Sequence, residues 1–264
     1  MKVAFIGGGN MAGALIGGMV DGGFEASSID VLEIDVARGT ELAERYRVRT
    51  HQRAGDWLRA SNVMVLAVKP QQMQAAAAAI KPHLARALVL SIAAGVRTQT
   101  IGQWLTTSRI VRAMPNMPAL IRAGISAAIA LPGVSAGERQ HADGILSAVG
   151  TVIWLDEESM LDAVTALSGS GPAYVFYFIE AMQAVAREMG FSEAHARALT
   201  LQTFTGAAQL ASQSDESASA LRAKVTSKGG TTAAALESFE RDKVAEAIAR
   251  AIRAAAARAH ELGS

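Results

Sequence analysis

Short apolar runs recur through the first part of the chain, each closed by glycine, proline or a charged residue. Residues 3–6 (Val-Ala-Phe-Ile), 28–32, 62–68, 110–112, 125–130 and 151–155 each read as a buried strand, and 88–95 as a strand and its following turn. Between them the apolar spacing changes. Ala14, Leu15 and Met19 repeat at helical intervals after the first run, and 71–80 is an alanine-rich helix after the Lys69-Pro70 break. Alternating strands and helices, mostly apolar, predict a doubly wound and mostly parallel α/β sheet.

The texture changes near Asp156, and no strand is convincing from Pro172 onward. Helices are expected over 174–189, 193–212 and 241–261, the first closed by Gly190. The helix over 174–189 is apolar on nearly every side, so it must be buried. A helical region of about a hundred residues makes a thin core alone, so it is expected to pack against a second copy. The expected division is therefore an α/β domain over 1–156 and an all-α dimerisation domain over 157–264. No internal repeat is visible.

Composition narrows the function. Half of the 264 residues are hydrophobic, and the net charge is +1. A near-neutral chain is a poor candidate for a nucleic-acid or membrane-surface partner held by bulk electrostatics. Without cysteine there is no disulfide and no thiolate metal site, and no metal is expected. The uncharged run 3–20 has the look of a signal-peptide core, but six glycines and Asn10 interrupt it, so a cytoplasmic protein is expected.

Two stretches carry chemistry. The first is Gly7-Gly8-Gly9-Asn10-Met11-Ala12, a Gly-x-Gly-x-x-Ala between strand and helix. Gly7 permits the tight turn, Gly9 lets the backbone approach a pyrophosphate, and Ala12 lets helix and strand pack closely. Glu33 ends the second strand, where a carboxylate either meets adenine-ribose hydroxyls or starts the next helix. Lys69, at the carboxyl end of another strand, is either a cofactor contact or a solvated lysine.

The second stretch is 225–237, Val-Thr-Ser-Lys-Gly-Gly-Thr-Thr-Ala-Ala-Ala-Leu-Glu. Two glycines lie among hydroxyls, with good helix formers following at once. That is either an anion cradle at a helix N-terminus or a tight turn capped by Ser227 or Thr231.

On these blocks the sequence resembles pyrroline-5-carboxylate reductase, the last enzyme of proline synthesis. The resemblance spans the chain: Phe5 to Ala12, Ala67-Val68-Lys69-Pro70, Ser91 to Gly95, Met114 to Pro118, Leu167 to Tyr174 and Val225 to Thr232. It implies an N-terminal Rossmann domain and a C-terminal helical domain that interleaves with its partner in a homodimer, with larger rings, commonly decamers, in many members. It also implies that NADPH or NADH contacts Ile6, Gly7, Gly8, Gly9, Asn10, Met11, Glu33, Val68, Lys69, Pro70 and Ala94. The carboxylate of 1-pyrroline-5-carboxylate would lie on Ser227, Gly229, Gly230 and Thr231, with Thr232 reaching the ring nitrogen and L-proline as product. Glu158 falls where some members have a substrate-site glutamate.

Two departures stand out. Lys228 replaces a proline common in the family. Glu33 replaces a small hydroxyl residue of NADPH-using members, and a carboxylate there would repel a 2′-phosphate, leaving the cofactor open. A protonated imine is already electrophilic, so such a site works mainly by positioning. None of His51, His83, His141, His195 and His260 lies in a motif, and each is expected at the surface or in packing. A hydroxyacid dehydrogenase using Lys224 or Lys228 as acid–base, and a nucleotide-binding regulator without catalysis, are the alternatives.

Overall fold

The computed structural model describes residues 1–263, which divide into two compact units, 1–170 with 255–263, and 171–254. In the first, β1 (Val3–Ile6), β2 (Ile29–Leu32), β3 (Arg49–His51), β4 (Val63–Leu66), β5 (Leu88–Ser91), β6 (Ile110–Met114), β7 (Gly124–Ala130) and β8 (Gly150–Trp154) form one sheet. Its order is β3-β2-β1-β4-β5-β6-β7-β8. Val3 of β1 sits opposite both Ile29 of β2 and Val63 of β4, so β1 is central. Chain order reverses there, between β1 and β4, which opens the crevice that such sheets use for ligands.

The apolar runs become strands because both faces are covered. All four residues of β1, β2, β4 and β5 are buried. One face packs on α1 (Asn10–Asp21), through Leu15, Ile16 and Met19. The other packs on α3 (Met73–Ile80) and α4 (Thr98–Leu105), through Met73, Ile80 and Ile101. The run over 3–20 is therefore a core strand, a glycine turn and a core helix, and no helix among the described residues is long and apolar enough to cross a membrane.

Two features depart from a uniform parallel sheet. β7 runs antiparallel to β6, and β8 is parallel to β7. The connection over 115–123 is shorter than the dozen or so residues that a crossover to a parallel neighbour needs. It is pinned by Asn116, whose Oδ1 accepts from the N–H of Ile125 and whose amide donates to the carbonyl of Ser168. The second feature, β3, was not expected from its polar sequence. It is held by side chains: Arg49 Nε and Nη2 donate to Asp30, His51 Nε2 lies 2.8 Å from the same carboxylate, and the imidazole stacks on Trp57.

The sheet is completed by α2 (Val36–Tyr46), capped by Asp35, and α5 (Ala136–Ser147), whose Ser135 and Glu138 form a reciprocal capping box. A short helix, α6 (Met160–Val164), packs Leu161 on Ala127 and Ile129 of β7. That packing carries the first unit past the expected boundary at 156, to residue 170.

The second unit holds α7 (Gly171–Glu188), α8 (Glu193–Ser212), α9 (Ala218–Lys224), α10 (Thr231–Arg241) and the start of α11 (Val244–Leu262), and no strand. Ser192 and Ser217 cap α8 and α9. Not one residue of α7 is buried, although Phe176, Phe178, Met182 and Val185 lie on it. The apolar helix that the sequence requires to be buried is exposed in the single chain.

Candidate active site

The glycine loop leads from β1 into α1. Gly7 has φ +99°, and a Cβ there would meet Val68 Cγ1 at 2.8 Å and the Ala67 carbonyl at 2.9 Å. That position therefore needs glycine. Gly9 is the opposite case: nothing lies within 4 Å of where its Cβ would be, so the backbone is open to a ligand. Gly9 caps α1 without any side-chain hydrogen bond, leaving the first N–H groups, at Asn10 and Met11, available to an anion. Ala12 is fully buried, as close helix–strand packing demands.

Glu33 lies just past β2, and its carboxylate is fixed by two backbone donors. Oε2 accepts from the N–H of Gly8 at 2.7 Å and Oε1 from that of Asp35 at 2.9 Å. Arg38, which no sequence signal singled out, holds the same loop from the other side. Its Nε donates to the Gly8 carbonyl at 2.7 Å, while Nη1 pairs with Glu41 at 2.6 Å. Only an arginine at the third helical position after an Asp cap hinted at it.

A cleft of about 490 Å³ opens at the carboxyl ends of β1, β2 and β4, and brings together Ile6, Gly7, Gly9, Glu33, Val68 and Lys69. Ala75 and Ala76 of α3 and exposed Ile34 line it as well. The alanine-rich stretch was legible as helix, but not as a cleft wall. Pro70 opens the turn before α3, and Lys69 precedes it in extended backbone. Ala94 lies on the turn after β5. The open Gly9, the uncapped start of α1 and the Glu33 carboxylate on the cleft wall are features that a dinucleotide site calls for.

The second unit carries the hydroxyl stretch as a turn between α9 and α10. Gly229 has φ +71° with open space around it, and Gly230 N–H donates to the Ser227 carbonyl at 3.0 Å. A Cβ at Gly230 would collide with Ser227 Oγ. Gly230 caps α10 with no side-chain hydrogen bond, so neither Ser227 nor Thr231 acts as the cap. Among the described residues, the hydroxyls of Ser227, Thr231 and Thr232 have no partner, and Thr232 is the half-buried one of the two threonines. An uncapped helix start flanked by free hydroxyls suits a carboxylate.

Glu158 is placed differently. Its carboxylate accepts from Thr98 N–H at 2.8 Å, Thr98 Oγ1 at 2.6 Å and Arg112 Nη1 at 2.7 Å. Burial alone would push its pKa up. The bonds from Thr98 and Arg112 outweigh that and hold it below the usual carboxylate range. Of the alternative acid–base lysines, Lys224 is paired with Glu216 at 2.5 Å. The five histidines lie outside both stretches.

Comparisons with known proteins bear on the family and the fold. Residues 158–262 match the family model described as pyrroline-5-carboxylate reductase dimerisation, and residues 2–95 match one described as NADP oxidoreductase, coenzyme F420-dependent. The chain is 41% identical to pyrroline-5-carboxylate reductase of Pseudomonas aeruginosa, over 99% of this chain and 96% of that one. It belongs to the pyrroline-5-carboxylate reductases. The family's structure from Coxiella burnetii superposes with a TM-score of 0.94 at 38% identity, covering 100% of this chain and 98% of that chain. The Plasmodium falciparum member, solved with NADP bound, gives 0.90 at 26% identity, with coverages of 100% and 98%. The Rossmann unit, the helical dimerisation domain and the NAD(P)H-dependent oxidoreductase class are thus those of this family.

Proposed function

We propose that this chain reduces 1-pyrroline-5-carboxylate to L-proline with NADH or NADPH, the last step of proline biosynthesis, as a homodimer or a larger ring such as a decamer in the cytoplasm, with no nucleic-acid or membrane partner. The observation that carries the substrate is the uncapped start of α10, beside hydroxyls with no internal partner, on a chain that also holds the dinucleotide cleft.

The reaction adds a hydride to the imine carbon and leaves the ring nitrogen protonated. When bound, a reduced nicotinamide supplies that hydride. The chain itself binds and orients. Backbone N–H groups at Gly229 and Thr231 hold the substrate carboxylate, each such charge-assisted bond worth roughly 1.5–3 kcal/mol, while Gly230, whose own N–H closes the turn onto Ser227, leaves room for it. Ser227 contributes its hydroxyl to the same group. Thr232 Oγ1 sits at the ring nitrogen. Gly7, Gly9, Asn10 and Met11 hold the cofactor pyrophosphate, and Glu33 the adenine ribose. Val68, Lys69 and Pro70 border the cleft, and Ala94 contacts the nicotinamide-bearing half.

Initial rates of imine reduction with NADH and NADPH, side by side, test this reading. Turnover of the imine with either cofactor supports it. Activity on a hydroxy acid with none on the imine would replace it.

A further inference from the structure

The turn between β5 and α4 ends a strand of the sheet's second mononucleotide half, where the crevice lies. It contains Ala94 and Gly95, the latter at φ +74°. Three fastenings converge on the next residues, and every partner is remote in sequence. Thr98 opens α4 and gives both its N–H and its hydroxyl to Glu158. Arg97 gives Nη2 to Asp162 at 2.6 Å and Nε to the Gly263 carbonyl at 3.2 Å. The Leu262 carbonyl stands 3.0 Å from where a Gly95 Cβ would be.

These contacts are not ordinary helix capping. Arg97, the cap of α4, makes no side-chain bond to its own helix. Glu158, sixty positions away, supplies the negative group that the start of α4 favours. Glu158 is anchored from behind by Arg112, whose side chain is 3% exposed. A guanidinium buried that deeply is tolerated only with a partner, and here the partner is the carboxylate that also holds Thr98.

We infer that Glu158, Arg97 and Asp162, with the last turn of α11, are positioning residues that hold the β5–α4 turn in its cofactor-binding geometry. Glu158 then acts through Thr98 on the turn, not on the substrate. The inference rests on the proposed cofactor role of that turn, and it needs no assumption about which imine is reduced.

The test is binding without turnover, measured by titrating the whole protein with NADH and separately with ADP, which occupies only the first half of the cleft. Asp162→Asn, Arg97→Leu and Glu158→Gln are each expected to weaken NADH about tenfold or more, the equivalent of at least one charge-assisted bond, while ADP affinity stays as in the wild type. Gly95→Ala, which presses on Leu262, should give the same pattern. Equal weakening of NADH and ADP, or no weakening of NADH, overturns the inference. Wild-type protein that binds NADH no better than ADP removes the turn's role altogether. A raised KM for the imine in Glu158→Gln, with NADH affinity intact, returns Glu158 to the substrate. Failure of imine reduction alone, with the NADH and ADP pattern as expected, counts against the proposed substrate and leaves the brace standing.

Discussion

Glu33 accepts the backbone N–H of Gly8 at 2.7 Å, so the carboxylate at the end of β2 and the glycine loop after β1 are one hydrogen-bonded unit. The side chain is thereby held on the wall of the cleft, and in the proposed site a 2′-hydroxyl donates to it while a 2′-phosphate meets like charge. NADH is expected to be used at least as well as NADPH. Glu33→Ser should raise the preference for NADPH about tenfold or more, read as the ratio of dissociation constants in fluorescence titrations. A wild type that strongly prefers NADPH, with a ratio unmoved by the substitution, would take Glu33 out of the ribose site.

Arg38 holds the same peptide group through the Gly8 carbonyl. Arg38→Leu frees the loop without touching the carboxylate. Both cofactors should weaken by a similar factor, on the order of tenfold, since the Gly8 peptide braces the loop proposed to hold the pyrophosphate shared by both. A loss confined to NADPH would instead place Arg38 on the 2′-phosphate.

The apolar face of α7 predicts assembly. Phe178, Met182 and Val185 line a groove with Leu199 of α8 and Phe239 of α10, all within the helical unit, and each is substantially exposed in one chain. A second copy of the chain is expected to cover this face, which lies within the residues matched by the dimerisation model. Sedimentation should find no active monomer at micromolar concentration. Phe178→Glu should dissociate the dimer and abolish activity together, because a charge left in a buried interface is costly.

Legibility followed burial. Strands β1, β4 and β5 read directly from sequence because all of their residues but Ser91 are apolar and all are buried. Strand β3 did not, because Asp30, Arg49 and His51 hold it by charge and hydrogen bonds, which leave no hydrophobic period. The glycine loop was readable at Gly7 and Ala12, since each meets a steric demand that a residue type states plainly, while Gly9 is left in open space. The role of Arg38 was not, for a surface arginine on a helix looks like any other until its partner is seen. The distant fastenings of Glu158 and Asp162 are likewise tertiary, with no local pattern to announce them.

Acid should loosen the first unit selectively. Asp30, Glu138 and Glu158 are each buried in part, which raises their pKa values, and each is then carried below the ordinary range by hydrogen bonds and an arginine. A depressed folded pKa contributes stability that is complete above the unfolded value, about 4, and is lost as pH falls through the folded one. The melting temperature should therefore drop below about pH 4. Glu158→Gln should flatten part of that drop while lowering the melting temperature at neutral pH. An unchanged acid limb would assign the effect to other groups.

The half-buried hydroxyl of Thr232, free of internal partners at the second position of α10, is the side-chain group assigned to the substrate nitrogen. That nitrogen changes its bonding as hydride arrives at the adjacent carbon, so a contact there strengthens toward the transition state and appears in turnover. Thr232→Ala should lower kcat/KM about 10- to 200-fold, the equivalent of roughly 1.5–3 kcal/mol for a bond to a charged group. Cofactor affinity, set by the loop at Gly7 to Ala12, should stay constant. Thr231→Ala is the internal comparison: its exposed side chain caps nothing, its role is through the backbone N–H, and the substitution should cost far less. Steady-state kinetics and cofactor titration on both variants decide between the residues. Turnover near wild type in Thr232→Ala would leave the turn as a carboxylate cradle alone, with protonation of the nitrogen left to solvent.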